Sequence, residues 1–342
     1  MSSEYSEISE HITIASCDEI ISGLLSNKVR IIESAILDYI TLLSSPYGSE
    51  QDEDQIMTIT ASLVPKLKEP NFIMYSSSAL LITSFVYSDL ARDICEATEP
   101  IYKQNIENDH LVESSLLPYV LMNEVAGRDI DILEDLEDIL NDSEDEDLLL
   151  AAVKAISVYF CFQGEVAEWT RKNLFLFNKI NDLPDNLHDL KMAALYFACL
   201  CSGDDKGLNR TLFDIMEPSL LAFNDFKLKK KYGEDVDAVT FKLEKNEDIQ
   251  ERVKIDGKLE VLNGVVNVIL YRILSYETSD KMVGKSELLR DLLDLPKIKH
   301  REEKAKDAGA RKYNENVRRA ATKQKESKIR TSRFNKDSRL SL

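Results

Sequence analysis

The densest set of chemically capable side chains lies near the end of the chain. Between Ala310 and Phe334, the cations Arg311, Lys312, Arg318, Arg319, Lys323, Lys325, Lys328, Arg330 and Arg333 cover most of a helical wheel. Tyr313, Val317 and Ala320 leave it only a narrow apolar face. A helix with so little apolar surface cannot repay its ordering entropy by packing, so its expected free state is disordered or frayed. Cations on nearly every side suit a partner that surrounds the segment with phosphate. A groove in folded RNA does this, and counterion release then drives a salt-sensitive association. Tyr313 adds a ring that can stack on a base. A nuclear-import signal, or a tail that screens an acidic body, fits the same composition.

Elsewhere the residues capable of chemistry do not converge. His11, His110, His188 and His300 stand apart, with no second His or Cys at i+3 or i+4 to build a helical metal site. Cys199 and Cys201 lie two apart in an apolar run, which points them to different helix faces. Gly284-Lys285-Ser286 imitates the end of a phosphate-binding loop, but Ser279 stands where that loop needs its first glycine. With 61 Asp and Glu in the chain, carboxylate spacing nominates no general acid and base. The expectation is a binding protein with no catalytic residue, metal or cofactor.

Helices are expected to position the basic segment. The 342 residues include only 11 Gly and 8 Pro, too few turn formers for a typical all-β or α/β chain of this length. Amphipathic segments follow one another between short polar breaks such as SSPYGSEQDED, NDSEDED, NDLPDN and SGDDKG. In SNKVRIIESAILDYITLL, Val29, Ile32, Ala35, Ile36, Tyr39, Ile40 and Leu42 fall at helical spacing. Runs mixing small with large apolar residues recur near Ala79, Leu117, Ala155 and Ala194. Their separation of 38 to 39 residues is close to that of helical-hairpin arrays. The expected fold is all-α: an α-solenoid of HEAT/armadillo-like hairpins with a basic, conditionally helical C-terminal tail.

The expected boundaries are an acidic, disordered tail over 1–15, helical repeats over 16–223 and a charged linker over 224–250. Helices closing the array follow over 251–296, and then the basic tail over 297–342. The linker carries a basic cluster at Lys227, Lys229, Lys230 and Lys231. Eleven of the nineteen residues from Asp129 to Asp147 are acidic, though Ile132, Leu133, Leu136, Ile139 and Leu140 keep a helical period. The overall net charge of -18 hides a polarity, because residues 297–342 carry 16 Lys and Arg against 6 Asp and Glu. That leaves the first 296 residues at -28. Cys17, Cys95, Cys161, Cys199 and Cys201 are odd in number and scattered, which favours reduced, buried thiols in cytosol or nucleus. No run reaches the roughly 18 apolar residues of a membrane span, and the acidic start is unlike a signal peptide.

One junction is more specific. KSELLRDLLDL, from Lys285 to Leu295, follows KLEVLNGVVNVILYRILS and precedes the basic segment. This order resembles the C-terminal block of the interferon-related developmental regulator family, with Ser286, Glu287, Leu288, Leu289 and Arg290 matching its ELLR-type motif. The Phe-Gly-Leu-Gly turn that often follows in that family is replaced here by Leu292-Leu293-Asp294-Leu295-Pro296. The resemblance implies a cytoplasmic factor of inactive ribosomes, contacting small-subunit ribosomal RNA and ribosomal proteins. Its basic helix would lie in the transfer-RNA and messenger channel and repress translation. The resemblance also implies a nuclear alternative, a helical-repeat scaffold for transcription or chromatin proteins with the tail as import signal.

Overall fold

The computed structural model describes residues 15–45, 47–107, 111–163, 166–255, 257–278 and 286–296. The expected acidic tail over 1–15 lies almost wholly outside them. Among the described residues the fold is mostly helical, 77% helix, with 15 helices packed in sequential pairs.

The four segments that mix small and large apolar residues become the helices that water reaches least. They are α4 (Ile73–Val86), α6 (Val112–Val125), α8 (Glu146–Gln163) and α11 (His188–Ser202). From Ser115 to Asn123 every residue of α6 is buried. A helix apolar all round must be covered on every side, so these four form an inner row. α2 (Val29–Leu43) precedes the row and α13 (Phe226–Lys245) follows it, each helix touching the next. Ser76, Ser77, Ala79, Ser115, Ala151, Ala152, Ala194 and Ala198 are all buried along it, and their small side chains allow close approach.

Several buried hydroxyls in the row are satisfied locally, whereas Ser76 Oγ has no hydrogen-bond partner among the described residues. Thr83 donates to Ala79 O at 2.7 Å, Ser84 to Leu80 O at 3.0 Å and Ser157 to Val153 O at 2.6 Å. The phenol of Tyr39 meets Thr83 Oγ1 at 3.0 Å, and Tyr102 donates to Ser77 at 3.0 Å. These bonds pin α2 and the outer helix α5 (Ala91–Glu107) against α4.

The outer helices pair with the row. α1 (Cys17–Leu24) packs on α2 and on α3 (Glu53–Leu63), and α7 (Leu133–Asp142) packs on α8. α9 (Val166–Lys172) rests on α11, while α10 (Leu174–Asp182) and α12 (Lys206–Ala222) pair with each other and with α11. Gly23 is required where α1 meets α2, since a Cβ there would lie 2.6 Å from that of Ala35. Phe160, Phe177, Phe197 and the single tryptophan, Trp169, form an aromatic cluster with successive ring centroids 5.0 to 5.8 Å apart. Cys17, Cys95, Cys199 and Cys201 are buried and unpaired, and Cys161 is half-buried.

The C-terminal third differs from the expectation in two places. Residues 224–250 are not a linker, because most of them form α13. Tyr232, Val239 and Leu243 are buried on one face, Asp225 caps the start, and Asn246 ends the helix in the left-handed conformation at φ 58°. The dense lysines and acids obscured that stripe. Nor is 251–296 wholly helical. β1 (Gln250–Ile255) and β2 (Lys258–Asn263) form an antiparallel hairpin in which Ile255 pairs with Lys258. Gly257, in the connection between them, has φ 77°, the left-handed conformation that a tight hairpin turn favours. Val253, Ile255 and Leu262 are its buried residues.

α14 (Val265–Thr278) then packs across α4, α8 and α11, and α15 (Glu287–Leu292) packs on α4. Together they cover the side of the inner row that the outer helices leave open. Among the described residues no helix is long and apolar enough to cross a membrane.

One group inside this packing works against it. Burial pushes the Glu124 carboxyl, at the end of α6, up to about 7 from an ordinary 4.5. A hydrogen bond with Gln163 opposes the shift and the charge of Asp129 adds to it. Glu124 Oε1 has no hydrogen-bond partner among the described residues. The folded chain therefore holds a proton that the unfolded chain releases, so this contribution to stability is complete below pH 4.5 and lost as pH rises through 7. Glu124→Gln should raise Tm by a few degrees at about pH 8, corresponding to roughly 1 kcal/mol after solvent screening. Calorimetry should show the gain shrinking as pH falls toward 4.5.

Candidate functional site

The chain reaches its basic segment through α15, which carries the motif matched in sequence. Ser286 is its N-cap, accepting the Leu289 N–H at 3.2 Å while its own hydroxyl donates to Phe85 O at 3.0 Å. One side chain thus satisfies the start of α15 and a carbonyl near the end of α4, 201 residues away. Leu289 is fully buried and Leu288 half-buried. Glu287 is the first residue of the helix. Arg290 is 7% exposed, with Nε donating to Pro296 O at 2.7 Å and Nη2 facing Glu260 of β2 at 3.3 Å. Leu295 N–H returns to Arg290 O at 2.8 Å. The motif is therefore a clasp that ties helix, hairpin and the last described residues to the inner row.

A second polar node stands beside it. Arg272 of α14 contacts Asp235 of α13, lies 3.0 Å from Glu251 of β1, and places its guanidinium carbon 4.6 Å from the ring centre of Tyr196 on α11. Tyr196 donates to Asp235 at 3.0 Å. Burial pulls the Arg272 guanidinium down, but the bond to Asp235 and the surrounding acids hold it above its ordinary value. The node lines a cavity of about 410 Å³ between α8, α11, α13 and α14, whose apolar wall includes Met192, Ile269 and Ile273. At its rim Tyr232 donates to Asp189 at 2.6 Å, and that bond foremost holds the Asp189 carboxyl below its usual range.

A nucleophile has to be eased toward its deprotonated form. Here burial, as the largest cause, pushes the thiols of Cys17, Cys95, Cys161, Cys199 and Cys201 up. It does the same to the phenols of Tyr39, Tyr87, Tyr119, Tyr159, Tyr196 and Tyr232. Every one of these groups is held more firmly protonated than in water. Among the described residues no group of three or more His, Cys, Asp or Glu could hold a metal ion.

The acidic stretch from Asp129 to Asp147 includes α7. Leu136 and Leu140 anchor it, and Lys179 caps its C-terminal end by donating to the carbonyls of Leu140, Asn141 and Ser143. Asp135 and Asp138 of α7, with Asp131 and with Glu107 and Lys103 of α5, border a groove of about 420 Å³ floored by Ile106, Ile132, Ile139 and Leu148. Burial first, then the charges of Asp138, Asp131 and Glu107, push the Asp135 carboxyl up.

The predicted RNA contacts Arg311, Lys312, Tyr313, Arg318, Arg319, Lys323, Lys325, Lys328, Arg330 and Arg333 lie outside the described residues, as do His11, His110 and His300. His188, at the start of α11, packs beside the Phe223 ring. Sequence reasoning missed the Arg272 node, whose partners are 21, 37 and 76 residues away along the chain and carry no local signal. No protein-family model matches the chain, and no curated protein matches it.

If the motif is a clasp, its residues set stability. Ser286→Ala should cost about 1–2 kcal/mol by removing a cap and a buried bond. Arg290→Ala should cost about 2–4 kcal/mol by leaving Glu260 and the Pro296 carbonyl without their partner. Exposed Asp291→Ala should stay within about 0.5 kcal/mol. Urea denaturation followed by Trp169 fluorescence measures all three.

Proposed function

We propose that the protein is a non-enzymatic ribosome-binding factor, with an α-solenoid body that docks on ribosomal proteins and a basic C-terminal helix that enters the RNA-lined channel for transfer RNA and messenger. The observation carrying this reading is the separation of charge along the chain, -28 over residues 1–296 against +10 over residues 297–342. An RNA-lined channel supplies the phosphate that the cations from Arg311 to Arg333 require, and it orders a helix too poor in apolar surface to order itself. Occupying that channel excludes messenger and transfer RNA by volume, so repression needs no activated nucleophile.

The acidic body complements the basic proteins of a ribosomal surface, and the sequential helix pairs offer an extended face for them. The resemblance at SELLRDLL names the ribosome as the source of the RNA.

Sedimentation of cell extract through sucrose gradients tests the reading. The protein should travel with monosomes or the small subunit at low salt and leave them as salt rises. Replacing Arg311, Lys312, Arg318 and Arg319 together by Gln should reduce co-sedimentation by at least about tenfold without changing Tm. Migration with free protein at low salt, or unchanged profiles combined with lost nuclear accumulation in the variant, would instead favour the nuclear scaffold.

A further inference from the structure

The turn between α12 and α13 breaks the pattern of the acidic body. Phe226 is 83% exposed and Leu221 58% exposed, the first being the most exposed large apolar side chain among the described residues. Immediately after it, Lys227, Lys229 and Lys230 are all exposed. Among the described residues no carboxylate lies within ion-pair distance of these three. Lys231 is engaged by Asp189 at 3.5 Å and by the Tyr232 hydroxyl. The one acid at the turn, Asp225, accepts the Lys227 N–H at 2.8 Å as the helix cap.

The placement on α13 is directional. Leu228 and Tyr232 mark its packed side, while Phe226, Lys227 and Lys230 occupy the opposite side of the wheel and Lys229 stands exposed on its flank. They also crown the N-terminal end of a 20-residue helix, where the macrodipole adds positive potential. In a body of net charge -28, three unpaired lysines beside an uncovered ring would repel neither phosphate nor base. An acidic peptide would use the lysines and leave the ring idle, whereas a nucleic-acid strand uses both, its phosphates on the ammonium groups and a base against the ring.

We infer that Phe226, Lys227, Lys229 and Lys230 form a second RNA contact on the helical body, which binds a single-stranded or looped segment by stacking on Phe226 and by phosphate pairing with the three lysines. It rests on the ribosome reading only for the source of the RNA. Recognition is by backbone and stacking and carries little sequence preference. The two contacts make binding bivalent, so that losing either one weakens the complex more than its own phosphate count suggests.

Fluorescence anisotropy of the full chain with a labelled polyuridine strand tests this. Replacing Lys227, Lys229 and Lys230 together by Gln should weaken binding about tenfold and lower the slope of log K against log salt by about 2. Phe226→Ala should weaken it about five- to tenfold with the slope unchanged. Tm should be unaltered in both, since all four side chains are exposed.

The tail variant with Arg311, Lys312, Arg318 and Arg319 replaced by Gln separates the two readings. Residual binding by that variant, removed by adding the lysine changes, supports the patch. Unchanged binding and slope in the lysine variant overturn the inference and leave the tail reading standing. Wild-type binding in the tail variant with loss in the lysine variant overturns the tail reading and supports the patch. If Phe226→Ala abolishes capture by vesicles of equal parts phosphatidylserine and phosphatidylcholine but leaves RNA binding intact, the patch is a lipid contact and the inference fails.

Discussion

The fold depends on the requirement that four helices apolar on every side be covered on every side. Residues such as Leu116, Val120, Ala152, Ile156, Leu195 and Cys199 leave no face of the inner row that water could occupy without a large cost. Paired outer helices satisfy this on one side. The other side falls to α14 and α15, which is why the C-terminal segment crosses three inner helices and does not simply extend the series. The polar features follow from that crossing. Arg272 sits where α14 passes α11 and α13 and gathers Asp235, Glu251 and Tyr196, while Ser286 and Arg290 fasten the end.

The inner row was the most legible part of the sequence. Its small-and-large apolar runs stand out because burial on all sides removes polar residues almost completely, as in LLLAAVKAISVYFCF. Two elements were hidden by charge. In α13 the buried stripe of Tyr232, Val239 and Leu243 is diluted by lysines and acids on the other faces. In the hairpin, Val253 and Ile255 alternate with exposed Arg252 and Lys254 ahead of Gly257, a period of two that a search for helical period passes over. The SELLR motif could be found in sequence, but its work could not. Nothing local announces that Ser286 reaches Phe85 or that Arg290 reaches Glu260.

Charge is arranged on more than one scale. Along the chain, an acidic body precedes a basic end. Within the body, Asp131, Asp135 and Asp138 line one groove, while Lys227, Lys229 and Lys230 have no ion-pair partner among the described residues. Segregated charge of both signs gives one surface separate regions of opposite potential, which a uniformly acidic scaffold lacks.

The bond between Ser286 and Phe85 also bears on synthesis. A ribosome making this chain releases α4 some two hundred residues before the hydroxyl that completes its end, and the inner row stays open on one side until α14 and α15 emerge. Contacts of such sequence separation form late and slowly, so nascent or prematurely terminated chains present an uncovered apolar face to chaperones and proteases. The inner row therefore closes only after α14 and α15 have been made.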